Sequence, residues 1–447
     1  MMFVGSHCEV LRVACRFALA SRSRGKRPPL PPLAKGGKGR MSLQCVLVFV
    51  ALIPAVHAEN WPRWRGPEGN AVSNETKLPV TWSATENVRW KAAVPGEGSS
   101  SPIVWGERVF LAAAFEHGMR RAVFCFDTET GRQLWSREIA DEDPEISSAL
   151  TGHAAPTPIT DGKFVVAAFG NAGVVCYDMD GKRQWRRRFG MFESELGLAS
   201  SPILHEGTVI LLCDHDGDRF RSFDSFLIAL HLKTGATSWK TDRPQLFRSW
   251  STPIVVPAGD ARELVVNAQD ELRGYDPANG KQLWNVTGMT GWVTPSPVFD
   301  GGLIFATSGK DGPTMAVRPG GRGDVTATHV VWQHERGAPY VCSPVLYGEH
   351  LYVHNELGIL TCREAKMGKE LYRQRLEGKF TASSVAGDGK VYFTNEDGLT
   401  FVVKAGPEFE ILAKNPLEEA VLASPAISSS RLFLRAERHL YCIEQKK

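Results

Sequence analysis

A Ser/Thr-Pro step followed by apolar residues returns seven times along this chain, at Ser101-Pro102, Thr157-Pro158, Ser201-Pro202, Thr252-Pro253, Ser296-Pro297, Ser343-Pro344 and Ser424-Pro425. Ser383-Ser384 fills the one place left open in the series, between Ser343 and Ser424. The seven intervals from Pro102 to Pro425 average about 46 residues, a period typical of small sheets repeated around an axis. A chain of 447 residues would otherwise be expected to divide into several domains. Eight copies of one unit predict instead a single repetitive domain over 59–447.

Each repeat reads as four short strands. The first three are alternating apolar runs, as in PIVWGERVFLAAA and RAVFCFDTETG, and the fourth carries a tryptophan, as in RQLWSRE. The turn before that last strand is explicit in FDTETGRQLW (126–135), YDMDGKRQW (177–185), HLKTGATSW (231–239) and YDPANGKQLW (275–284). Gly131, Gly181, Gly235 and Gly280 supply a positive φ, and Asp127, Asp178 and Asp276 can accept from the turn's own amides. Trp135, Trp185, Trp239 and Trp284, with Trp332 later, have the size to fill the wedge between neighbouring sheets. A four-stranded sheet cannot bury both faces alone, so eight must stack in a closed ring that leaves no edge for aggregation. The predicted fold is all-β: an eight-bladed β-propeller of four-stranded antiparallel blades. The final repeat ends at LYCIEQKK without a tryptophan strand, whereas Asn87-Val88-Arg89-Trp90-Lys91 is such a strand without a blade. Residues 87–93 are therefore predicted to close the ring by completing the eighth blade with 424–444.

The formal charge of +3 is set by the N-terminus, where residues 1–40 hold nine Lys/Arg and one acidic residue; the rest of the chain is net acidic. No basic face for phosphates is visible there, so a nucleic-acid partner is not expected. Residues 21–40 are basic and rich in Pro and Gly, and the extension 1–40 is predicted to be disordered or untranslated. From Met41, the apolar run Val46 to Ile53 and the small-residue site Val56-His57-Ala58 form a signal peptide over 41–58, too short to be comfortable as a membrane span. The mature chain is predicted to start at Glu59, with no transmembrane span, in the periplasm or outside the cell. Cys125, Cys176, Cys362 and Cys442 recur at one repeat position, which argues for buried thiols more than disulfides.

The Asp-x-x-x-Gly-Lys-x-x-Trp turn resembles the repeat of pyrroloquinoline-quinone-type (PQQ-like) propellers. That family includes quinoprotein alcohol dehydrogenases and the propeller lipoprotein of outer-membrane protein assembly. WPRWRGPEGNAVS (61–73), the stretch 294–324 and YFTNEDGLTFVVKAGPEF (392–409) are similar to secreted propellers of the planctomycete type. The resemblance implies the fold and export over about 60–447. It implies no activity, because the dehydrogenases' adjacent cysteine pair has no counterpart and no Asp base can be matched. A non-catalytic binding or scaffolding module in the cell envelope follows, monomeric and with a protein or envelope partner near the outer membrane. The alternative is an oxidoreductase dependent on PQQ and calcium, with a divergent site; otherwise no cofactor is expected.

Blades four to seven each place an aromatic shortly before their first strand: Trp250, Trp292, Tyr340 and Phe380. Equivalent positions in a radial fold gather at one channel mouth, where these rings and Arg248 could stack a planar ligand or an apolar peptide side chain. Packing between blades explains the same pattern and is the favoured reading. His153 holds the corresponding place in blade two, without a matched carboxylate or nucleophile. Asp214-His215-Asp216-Gly217-Asp218 departs from a calcium loop, with Arg219 where glycine should turn the chain, and reads as an acidic hairpin tip. No catalytic residue and no metal ligand is assigned.

Overall fold

The computed structural model describes residues 59–148, 151–192, 194–215, 225–244 and 248–446. The N-terminal extension, the signal peptide and Asp216 to Asp218 lie outside them. Eight sheets succeed one another, seven of four strands and one of five. Blades 1 to 7 run 103–140, 159–187, 203–242, 254–287, 298–334, 345–375 and 385–416, each led by its innermost strand. Blade 8 joins three strands within 426–444 to the N-terminal strand Val88–Ala93. That outer strand pairs antiparallel with His439–Glu444, and Trp90 stands opposite Cys442. The fold and its predicted clasp are thus present.

Strand alternation builds a core that lies between blades rather than in one centre. In the third strand of blade 1, Val123 and Cys125 pack with Val165 and Tyr177 of blade 2. Their neighbours Phe124 and Phe126 face the other way, into the cluster shared with blade 8. The recurring cysteines acquire a reason here. Cys125, Cys176, Cys362 and Cys442 stand directly opposite Trp135, Trp185, Tyr372 and Trp90 on the outer strand. Other blades put Ala229, Gly274 and Ala316 opposite their tryptophans, so the position demands a small residue. All six described cysteines are free and buried, and desolvation pushes the thiols of Cys125, Cys176, Cys362 and Cys442 up to about 12.

Each tryptophan also reaches the next blade. The indole Nε1 of Trp90, Trp135, Trp185, Trp239 and Trp332 donates to the carbonyl of Thr128, Met179, Leu232, Pro277 and Ala365 respectively, at 2.8–3.0 Å. The ring then lies over the turn glycine: a Cβ on Gly235 would sit 2.6 Å from Trp185. Trp284 departs from the pattern and donates to Glu263 of its own blade. In blade 5 the usual turn is replaced by a longer excursion, in which Gly323–Asp324 adds a parallel fifth strand beside Trp284 and Asn285.

The Ser/Thr-Pro series has a single structural purpose. The backbone N–H of Ser101 donates to the hydroxyl of Thr157, and the same bond repeats from Thr157 to Ser201, Thr252, Ser296, Ser343, Ser383 and Ser424. Ser424 N–H then donates to Ser101, closing a circuit of eight bonds of 2.7–3.0 Å at the start of the innermost strands. Ser383 needs no proline to take its place. The hydroxyl is what the circuit selects; in a buried setting it satisfies an amide that no sheet partner reaches.

Candidate functional site

The innermost strands line the central channel, and their two ends define its mouths. Residues 59–73 lie across the mouth where those strands end. Trp61 and Val104 of blade 1 exchange both backbone hydrogen bonds at 2.8 Å, and Thr160 of blade 2 donates to Pro62 O at 2.9 Å. Farther on, the Arg65 guanidinium donates to Pro344 O of blade 6, and Ala71 and Ser73 pair with Ala386 of blade 7. Ser428 of blade 8 donates to Glu59 O. Trp61, Arg65 and Ala71 are buried. Gly66 is required where the segment doubles back, since it has φ of 78° and any Cβ would strike the Trp61 ring. The channel is therefore stoppered at this end by WPRWRGPEGNAVS, a use of that stretch which sequence reading did not foresee. Two tryptophans amid two glycines and two prolines were the only hint.

The opposite mouth is framed by the loops entering the innermost strands and by the hairpins between second and third strands. On the side of blades 7, 8, 1 and 2 it opens into a cavity of about 1590 Å³, lined among others by Glu97, His117, His153, Asp397 and Arg435. One wall is pinned from below: Arg121, fully buried, holds Glu145 through Nη1 and Nη2 at 3.1 and 2.9 Å, and Glu145 also accepts Asn171 N–H. This anchor presents Ile146 to solvent at 76% exposure. His153 lines the cavity, with Nε2 3.0 Å from Glu145 O and the Ser147 hydroxyl 3.2 Å away.

On the side of blades 4 to 6, four of the sequence candidates come together. Trp250 stacks on Trp292, with centroids 5.9 Å apart and planes inclined by 29°, and Trp292 meets Tyr340 edge-on at 6.4 Å. The Arg248 guanidinium lies 4.6 Å from the Trp292 ring centre. Lys310, from the hairpin of blade 5, adds an ammonium 4.1 Å from Trp292 and 4.9 Å from Tyr340; the sequence reading missed it. Trp250 is buried, and its indole N–H donates to Ser194 Oγ and Gly197 O. Trp292, Tyr340 and Arg248 are partly exposed. Phe380, by contrast, is fully buried against His354 and Phe401, so packing is its role. Its ring is not part of the cluster's exposed surface.

This cluster is conformationally strained. Arg248, Trp292, Lys310 and Asp311 have φ of 60°, 64°, 52° and 63°, in the left-handed region that costs a residue with a Cβ roughly 1 kcal/mol or more. A parallel bridge holds the arrangement, with Trp250 N–H donating to Val293 O and Val293 N–H to Arg248 O.

A quinone with calcium does not fit the described residues. Among them no three His, Cys, Asp or Glu side chains converge, and no two cysteines are adjacent in sequence. Asp214, first of the acidic run, is buried rather than at an exposed tip. Its carboxylate is held by Arg243 through Nε and Nη2, both at 2.9 Å.

Comparisons with known proteins agree with this architecture. The quinohemoprotein alcohol dehydrogenase of Comamonas testosteroni superposes with a TM-score of 0.67 at 12% identity, covering 87% of this chain and 81% of that one. BamB of Moraxella catarrhalis gives 0.57 at 13% identity, over 80% and 97%. At such identities these likenesses show the fold alone. In sequence, the outer membrane protein assembly factor BamB of Burkholderia pseudomallei (strain K96243) is 25% identical over 311 residues, 69% of this chain. The chain spans 63% of that relative's length. The family described as outer membrane protein assembly factor BamB matches residues 67–217 and 119–362, more than half of the sequence. The chain therefore belongs to the PQQ-like propeller family that carries this description.

Proposed function

We propose that the chain is a non-catalytic, exported scaffold of the cell envelope, acting on the outer-membrane side, and that its docking site is the cluster of Arg248, Trp250, Trp292, Lys310 and Tyr340. The observation that carries this reading is the pairing of strain with half-exposed aromatic rings and two cations at an open channel mouth. Strained backbone persists where surrounding structure enforces it, and it gathers at recognition sites. Trp292 and Tyr340 offer flat apolar surface at little entropic cost, and Arg248 and Lys310 favour acidic neighbours. The partner is accordingly a protein that seats an apolar or aromatic side chain, flanked by acidic residues, on these rings. The stopper at the other mouth and the poor fit to quinone and calcium support the non-catalytic part of the reading.

A photo-crosslinking residue at Tyr340 in cells tests it. One dominant envelope adduct is expected, and Trp292→Ala should weaken capture roughly thirtyfold, as removal of an interface anchor worth about 2 kcal/mol does. An adduct indifferent to Trp292→Ala would overturn the site. Dye-linked dehydrogenase activity after reconstitution with PQQ and calcium would overturn the non-catalytic reading.

A further inference from the structure

The stopper begins on Glu59, and every polar group of that residue is held. Its backbone N–H donates to Glu75 Oε1 at 2.7 Å, and its carbonyl accepts the Ser428 hydroxyl of blade 8 at 2.6 Å. Its carboxylate accepts the Ser73 hydroxyl, the Asn74 N–H at 3.0 Å and the Asn74 side-chain amide at 3.2 Å. The two residues that follow are fixed on blade 1: Asn60 Oδ1 accepts the Gly106 N–H at 2.7 Å, and Trp61 pairs with Val104. Residues 59–61 therefore span the seam between blades 8 and 1, where the ring closes.

Glu75 is bound into the same seam. Its Oε1 also accepts the N–H of Ser429 at 3.0 Å, and Oε2 accepts the N–H of Ser430 at 3.2 Å and the hydroxyl of the same residue at 3.4 Å. These two serines form the turn between the first and second strands of blade 8, with φ of 57° and 58°. In each of the other seven blades this turn contains a glycine of positive φ, as at Gly348 and Gly389. Two strained residues in place of a glycine persist only where the surroundings enforce them, and here the Glu75 carboxylate takes both of their amides. One half-buried carboxylate thus gathers the start of the stopper and the strained turn of the closing blade.

Glu59 is also the residue at which the mature chain is predicted to begin, after Val56-His57-Ala58. Hydrolysis of the Ala58–Glu59 peptide bond by a signal peptidase consumes one water, leaves a carboxylate on Ala58 of the departing segment, and turns the neutral N–H of Glu59 into an α-ammonium. The nitrogen that gains this charge is the one already directed at Glu75. We propose that the Ala58–Glu59 bond is a processing site and that Glu75 receives the α-ammonium released there, so that cleavage on export locks the stopper onto the seam between blades 8 and 1. A neutral hydrogen bond becomes a charge-assisted one, roughly twice as strong, and the precursor lacks that lock. The inference rests on the export reading and goes beyond it by assigning the terminus a partner and a role.

The test takes the chain as cells export and process it, reads its first residue by N-terminal sequencing, and compares it with a form acetylated at the α-amine alone. Acetylation restores the neutral amide N–H of the precursor and so isolates the charge. Hydrogen exchange at the Trp61, Ser429 and Ser430 amides is expected to run roughly fivefold faster in the acetylated form, and Glu75→Gln should abolish the difference. Glutamine keeps an acceptor for the turn amides and loses only the charge. A carbodiimide, which condenses an amine with a carboxylate in contact and removes one water, should link the Glu59 nitrogen to the Glu75 side chain in the processed protein, as read by mass spectrometry. Equal exchange in the free and acetylated forms, an acetylation effect that survives Glu75→Gln, or no Glu59–Glu75 link would overturn Glu75 as the partner of the terminus. A first residue other than Glu59 would overturn the processing site itself, which is a failure of the export reading over 41–58 and is told apart from the others by sequencing alone. Should Glu75→Gln fail to fold, the cross-link and the acetylation comparison in the wild-type chain decide.

Discussion

Eight hydroxyl oxygens bind this ring at the residue scale. Each accepts one amide from the blade before it, and each is buried, so removing one leaves an N–H with no water to turn to. Ser296, 1% exposed and accepting from Thr252 at 2.7 Å, is the cleanest case. Ser296→Ala is expected to cost about 1–3 kcal/mol in denaturant unfolding, and Ser296→Thr much less, because threonine holds the place in blades 2 and 4. A second residue-scale expectation concerns acid. Burial lowers the His354 imidazole to about 4 from an ordinary 6.5, with Arg65 adding to the effect. Between those values only the unfolded chain takes the proton, so stability present above pH 6.5 is lost as pH falls toward 4. His354→Asn, which places in blade 6 the residue blade 4 uses, should therefore lose up to roughly 3 kcal/mol less than wild type between pH 7 and pH 4. Identical losses for the two proteins in urea titrations would contradict this account of His354.

At the scale of elements, the strand Val88–Ala93 carries the most weight for its length. It supplies blade 8 with its outer strand and sends Trp90 onto the turn of blade 1, so one element serves two blades. Trp90→Ala is expected to destabilise by about 3 kcal/mol, in the range for large aromatic truncations. Deleting 59–93 should remove both clasp and stopper and lower the melting temperature sharply; unchanged thermal unfolding would refute the clasp. This strand was legible because its tryptophan pattern lacked a blade while the last blade lacked a tryptophan. The turns and tryptophan contacts were legible for the same reason, since repetition turns a local pattern into a spatial one. Trp284 packs between blades 4 and 5 as its size predicts, and only its indole N–H turns to Glu263, because the partner turn is lost from blade 5. Of the site, the positions before the first strands of blades 4, 5 and 6 could be placed at one mouth from the period alone. Their burial could not, which is why the sequence pattern does not separate buried Trp250 and Phe380 from the partly exposed Trp292 and Tyr340. The stopper was hidden because it obeys no period: its contacts run to five different blades.

At the largest scale, the described residues form a closed ring with one stoppered mouth and one open mouth of two unlike halves. Blades 4 to 6 gather strained rings and cations, and blades 7, 8, 1 and 2 enclose a cavity. Among the described residues no helix is long and apolar enough to cross a membrane. Closure is what gives both halves their geometry, for an open arc would let the mouth splay and would leave blade edges unpaired. The most direct measurement is hydrogen exchange of the eight amides from Ser101 to Ser424 in the native protein. The account expects all eight to exchange only by global opening, with the Ser424 amide, which closes the circuit onto Ser101, as protected as that of Ser296. Fast exchange at Ser424 beside slow exchange at the other seven would contradict a closed ring.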